Sequence, residues 1–188
     1  MRKLGMLVVS RCGLDTNRQK MVSIKEIEWS ECRGKPTVDA IKQFEVVIGR
    51  ELPETLKVLL DTVNGGSPSH DIFSYKDPET YQEIRSCLGA LISFNSEDEN
   101  NILDYLSRPS EGMSSELAPF AAVGNGNLIC LKKNSECVFI WLHGNRSGYD
   151  ECQLADTFQE FIEVLQQDND DEDEDEDLDT ELANLEEE

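Results

Sequence analysis

RELPETLKVLLDTVNGG, residues Arg50–Gly66, is the stretch whose reading decides the fold. Its Asn64-Gly65 pair suits a hairpin turn, yet the residues before it do not alternate as a strand would. Leu56, Leu59, Leu60 and Val63 recur at i, i+3, i+4 and i+7, the single apolar stripe of a helix. Pro53 fits the first helical position, where its missing N–H has no partner to lose. Glu54 sets a negative charge beside the positive end of the helix dipole. Asn64, Gly65 and Gly66 tolerate positive φ, so one of the glycines is expected to turn the chain in the left-handed region. The stretch is a helix and its stop.

Upstream, Thr37 caps a helix with Asp39 in its first turn and Ile41, Phe44 and Ile48 on its stripe. Gly49 ends it, and Pro53 opens the next, so the two form a helical hairpin. Val22–Trp29 alternates too weakly to separate strand from short helix. Downstream, Asp77-Pro78-Glu79 predicts a short helix running toward Cys87. Leu91–Phe94 reads as a strand, and Ser96 with Glu99 as a capping box opening a helix through Ile102, Leu103 and Leu106. From Leu117 the pattern becomes β: PFAAV, LICLKK and CVFIWLH are three strands joined by tight turns. Leu128–Leu131 and Val138–Leu142 are apolar on both faces, as covered central strands are. Asp156 and Gln159 then predict the start of a closing helix bearing Phe158, Phe161, Ile162 and Leu165. Helices, a meander and a covering helix make an α+β domain.

The formal net charge is −22. Residues 168–188 hold 14 acids and no base, while residues 1–20 hold five bases and one acid. Taking both ends away leaves −12 on residues 21–167, so the body is acidic in its own right. A nucleic-acid binder needs clustered Lys and Arg, so direct nucleic-acid binding is excluded and a basic partner fits. We read 1–20 as a disordered extension, 21–167 as the domain and 168–188 as a disordered acidic tail. Leu178, Leu182 and Leu185 still mark a faint helical stripe within that tail. No apolar run is long enough to span a membrane. Six cysteines without a C-x-x-C pair fit reduced thiols and a cytoplasmic protein. Cys87 and Cys130, among apolar neighbours, read as small hydrophobes.

No catalytic constellation emerges. His143 follows an apolar strand but reads as a turn residue, and His70 lies in a loop. The glycines of VGNGN lead into a strand, not into the helix N-terminus a phosphate loop needs. Neither a cofactor nor a metal is expected, and a non-catalytic binding protein is.

FEVVIGRELPETLKVLLDTVNGG (Phe44–Gly66) resembles the opening motif of the Smi/Knr-type domain of the SUKH superfamily. Glu45, Gly49, Leu52, Pro53, Asn64, Gly65 and Gly66 stand in matching places. LAPFAAVGNGNLICLK, CVFIWLHG and LADTFQEFIEVL are similar to later motifs, the last through Phe158 and Phe161; the likeness runs from about 37 to 166. It departs at Gly126-Asn127, where the family often has Gly-Asp. The resemblance implies a twisted, mainly antiparallel sheet packed by helices and no catalysis. It also implies a protein partner: a cognate toxin, often a nuclease, for an immunity protein, or a signalling assembly for a cell-wall scaffold. Residues 67–115 match no family motif and are where partner specificity is expected. Within them Glu97, Asp98 and Glu99 are the candidate partner-binding residues, though at a helix start they would also complement the dipole. Glu99 is further expected to close the capping box.

Overall fold

The computed structural model describes residues 26–146 and 148–168. The expected extension over 1–20, the beginning of the Val22–Trp29 pattern, and the tail beyond Asp168 lie outside the described residues.

The element order is β1 (Trp29–Ser30), α1 (Val38–Ile48), α2 (Glu54–Leu60), β2 (Ser67–Pro68), β3 (Ile72–Lys76), β4 (Glu83–Leu91), α3 (Ile102–Ser107), β5 (Leu117–Val123), β6 (Leu128–Lys132), β7 (Val138–Trp141), β8 (Glu151–Ala155) and α4 (Phe158–Glu163). β1 and β2 form a small antiparallel ladder. The other six strands form one antiparallel sheet in sequence order, β3 to β8. It is an α+β fold. The sheet curls until its two edge strands meet, and the Cys152 thiol of β8 donates to the Lys76 carbonyl of β3 at 3.2 Å.

The helical hairpin forms as its sequence requires. Gly49 takes φ +72° and its N–H returns to Glu45 O at 2.9 Å, a left-handed cap. Pro53 stands one place earlier than expected, as the N-cap of α2 with extended ψ. Ala40, Phe44 and Ile48 of α1 and Leu56, Leu59 and Leu60 of α2 are buried in one core with Phe120, Phe158 and Phe161. Phe120 meets Phe158 and Phe161 edge-on, with centroids 5.4 and 6.2 Å away. Each such pair contributes about 0.5–1.5 kcal/mol beyond the area it buries. Leu128 and Cys130 face a second, smaller cluster with Leu117 and Trp141, while Ile129 and Leu131 face the first. That division is why β6 is apolar from Leu128 to Leu131.

Residues 67–115 depart from the expectation. The helix expected after Asp77 is instead the tip of the β3–β4 hairpin. The Asp77 carboxylate does accept the amides of Glu79 and Thr80, as a helix cap would, at 3.0 and 2.6 Å. Tyr81 then takes φ +60° and the Asp77 amide donates to Gln82 O, so the chain reverses. Leu91 is the end of β4, and Ile92–Phe94 continue outside it. Cys87 is exposed on β4 with its thiol on Asp71, not among apolar neighbours. At the other end α4 is capped by Thr157, whose Oγ1 accepts the Glu160 amide at 3.1 Å, one residue later than Asp156 and Gln159 predict. The sequence does not mark β8: in ECQLA only Cys152 and Leu154 alternate with polar neighbours, too short a run to stand out from a loop.

No helix among the described residues is long and apolar enough to cross a membrane.

Candidate functional site

The motif residues do structural work that can be read bond by bond. The Glu45 carboxylate accepts the Leu52 amide at 2.9 Å, closing the link between α1 and α2. Arg50 carries that link to the β6–β7 turn through Nε–H to Ser135 O, 2.9 Å. Asn64, 3% exposed, is a hub. Its Oδ1 accepts the Phe94 amide at 2.7 Å, and its Nδ2 donates to Gly34 O and to Ser93 Oγ at 2.5 and 3.0 Å. Each buried polar atom of the side chain therefore has a partner, which is the condition for burying it cheaply.

The two glycines after it serve different needs. Gly65 has φ +66°, the left-handed turn the sequence called for. Gly66 does not, but a Cβ there would lie 2.9 Å from Ser30 O, so β1 passes too close for any side chain. Leu52, Phe158 and Phe161 are buried in the core. This framework is internal.

The hub extends to the acidic loop before α3. Ser93 Oγ–H donates to Asp98 Oδ2 at 2.6 Å, and the Asn95 side-chain amide donates to Asp98 Oδ1 at 3.5 Å. Asp98 is thus tied through Ser93 to Asn64. Glu97 and Glu99 on either side are exposed, and neither carboxylate has a hydrogen-bond or ion-pair partner among the described residues. The expected cluster of three splits into one anchor and two free charges.

The expected capping box is also overturned. Asn101 is the N-cap of α3: its Oδ1 accepts the amides of Leu103 and Asp104, and its Nδ2 holds Asp98 O at 2.8 Å. Asn100 takes φ +54°, so no helix runs back to Ser96. Asn is as good an N-cap as Ser, and Asp104 supplies the acid three places on. The signal lay in ENNILD, five residues beyond where the box was read.

The histidines occupy structural places. The His143 amide donates to Asn127 Oδ1 at 2.9 Å, and its ring packs edge-on to Trp141. Asn127 thereby keeps a side-chain oxygen at the point where the family often has a carboxylate. His70 Nδ1 is 3.1 Å from Ser69 Oγ, a contact the sequence did not suggest. No third side chain among the described residues orients that imidazole, as a nucleophile–base pair requires.

Several surface bases are already paired. Arg85 meets Asp168, Arg108 meets Asp104, Lys132 meets Glu151, and Arg146 meets Glu79. With those cations compensated internally, the acidic excess of the body remains for a partner to meet. Glu97 and Glu99 are exposed on a loop whose Asn95 and Asp98 side chains are bonded internally.

Compared with known families, residues 35–164 match the model of the SMI1/KNR4 family, SUKH-1. No curated protein matches the chain. The matched span nearly coincides with the 37–166 over which the motifs were read.

Proposed function

The chain belongs to the SMI1/KNR4 family (SUKH-1), and from that premise we propose that it is a non-catalytic immunity protein. It binds and neutralises a cognate polymorphic toxin, a nuclease by preference, in the cytoplasm. The family includes both toxin-immunity proteins and Smi1/Knr4 regulators. The observation that favours immunity is electrostatic. A nuclease holds nucleic acid on a basic face, and an acidic body with unpaired Glu97 and Glu99 is the complement of such a face. Binding needs no group on this chain to react, only a rigid surface of the right sign.

A second reading is a regulatory scaffold of the Smi/Knr type, favoured by the acidic segment after Asp168, which suits an interaction tail. Co-expression separates the two. The chain is placed beside a toxin encoded next to it, and survival is scored with and without it. Rescue together with a stable purified complex is the expected result. No rescue, with capture of signalling proteins by the purified chain as bait, would favour the scaffold.

A further inference from the structure

Helix α1 buries Ala40, Phe44 and Ile48 but turns apolar side chains outward as well. Val46 is 77% exposed, the highest value among the large hydrophobics of the described residues. Together with Val47 it forms one wall of a groove whose other wall is Leu103 and Leu106 of α3. The groove has a volume of about 320 Å³, with Lys42, Gln43 and Ser107 at its rim. No carboxylate lines it, although the chain carries a net charge of −22. Lys42 has no ion-pair partner among the described residues. An apolar trough with a free cation and no carboxylate in its lining is a place on this body where an acidic, leucine-bearing segment is not repelled.

The chain itself contains such a segment. LDTELANL (178–185) places Leu178, Leu182 and Leu185 at i, i+4 and i+7, one face of a helix, with Asp179, Glu181 and Glu186 close by. The connector is long enough to cross a large part of the domain surface. Residues 169–177, which separate it from Asp168, span up to about 30 Å when extended. A domain of this size has a radius of gyration of about 14 Å, so a span of that length reaches a large part of its surface. Asp168 itself is held on β4 by Arg85 at 2.8 Å, which fixes where the span begins.

We propose that segment 178–185 seats its three leucines in the α1/α3 groove of the same chain, with its acids toward Lys42. The stretch before it, acidic at every position but Asn169, stays a solvated connector, as its composition requires. The leucines depart from the solvated tail that composition alone suggests, because composition cannot show a groove. The inference is independent of which partner the protein binds.

Amide hydrogen exchange on the full chain tests it, comparing the parent with Leu182→Ser/Leu185→Ser and, separately, with Val46→Asp. The first variant alters nothing within the described domain, and Val46 is exposed enough to take a charge. Both variants are expected to speed exchange over 42–48 and 102–107 by roughly threefold or more, leaving β6 unchanged. Protection in the parent should not vary with protein concentration. Identical exchange in the parent and the leucine variant would overturn the proposal. So would protection that grows with concentration, which would place the segment of a second copy in the groove.

Discussion

Asn64, Gly65 and Gly66 are adjacent, yet each is constrained by a different force. Asn64 is needed for its two-sided amide, Gly65 for its backbone and for room beside the Arg33 side chain, and Gly66 for the space beside the Ser30 carbonyl. Substitutions should therefore separate them. Gly65→Ala should cost roughly 1–2 kcal/mol from the left-handed backbone. Gly65→Asn should recover part of that, since Asn tolerates this region and the Arg33 side chain that a Cβ meets at 2.6 Å can swing aside, as a backbone carbonyl cannot. Gly66→Asn should recover nothing relative to Gly66→Ala, because the obstacle is the Ser30 carbonyl. Denaturant midpoints for the four variants check this; equal recovery at both sites would refute the division. The acidic loop offers a parallel test. Asp98→Ala leaves the Ser93 hydroxyl without its acceptor and should cost about 1–3 kcal/mol. Glu97→Ala and Glu99→Ala should stay within about 0.5 kcal/mol of the parent. Cys87 makes a third. Partial desolvation, with the Asp71 carboxylate 2.9 Å away, pushes its thiol up to about 11. Because the residue is exposed, the carboxylate is the cause a mutation can remove. A raised thiol pKa means a scarce thiolate at pH 8, and the thiolate is what reacts. Asp71→Asn should lower that pKa and speed alkylation of Cys87 at pH 8, as followed by peptide mass spectrometry.

Helix ends are the elements where local signals competed. Ser96 and Asn101 both precede apolar residues by a plausible interval, and so do Asp156 and Thr157. In each case the later residue caps, because the chain before it is committed elsewhere: Asn100 to positive φ, Asp98 to Ser93, and Asp156 to the Gln153 side chain at 2.6 Å. Asn101→Ala should destabilise by about 1–2 kcal/mol, the upper part of the usual cap range, since the same amide also holds Asp98 O. Ser96→Ala should be nearly silent. Thermal melts of the pair decide it, and a silent Asn101→Ala would return the cap to Ser96. The β3–β4 hairpin shows the same competition at larger scale. Asp77 offers a cap, but EIRSCLGAL alternates, with Ile84, Ser86 and Leu88 turned inward, and sheet pairing with β3 and β5 outweighs one cap.

At the scale of the whole molecule, charge matters more than any single contact. Long-range attraction speeds the encounter of an acidic body with a basic one, and salt screens it. Glu97→Lys with Glu99→Lys reverses two charges that have no internal partner, so the fold should persist. Under the immunity reading, association with the toxin should slow, and its salt dependence should weaken. Stopped-flow rates at low and moderate salt measure both. Unchanged rates in the double variant would remove this loop from the binding face. Asp98 is spared because reversing it would confound binding with stability.

Much of this was legible because it is local. The α1–α2 hairpin, its glycine stop, the three central strands and the final helix all rest on periodicity, Pro and Gly geometry and short-range capping. Those are properties of a few neighbouring residues, and Leu56, Leu59 and Leu60 would mark a helix in almost any context. What remained hidden depends on residues distant in sequence. Whether Asp77 begins a helix or a turn depends on strands that pair across it. Whether Asp98 is a free charge or an anchor depends on Ser93 and, through it, on Asn64. The need for Gly66 depends on a carbonyl of β1 brought beside it by the β1–β2 ladder. The sequence by itself determined the class of fold, its helical opening and the sign of its surface. Only the tertiary structure decided which carboxylates are available to a partner, because a side chain is free or committed according to what folding places next to it.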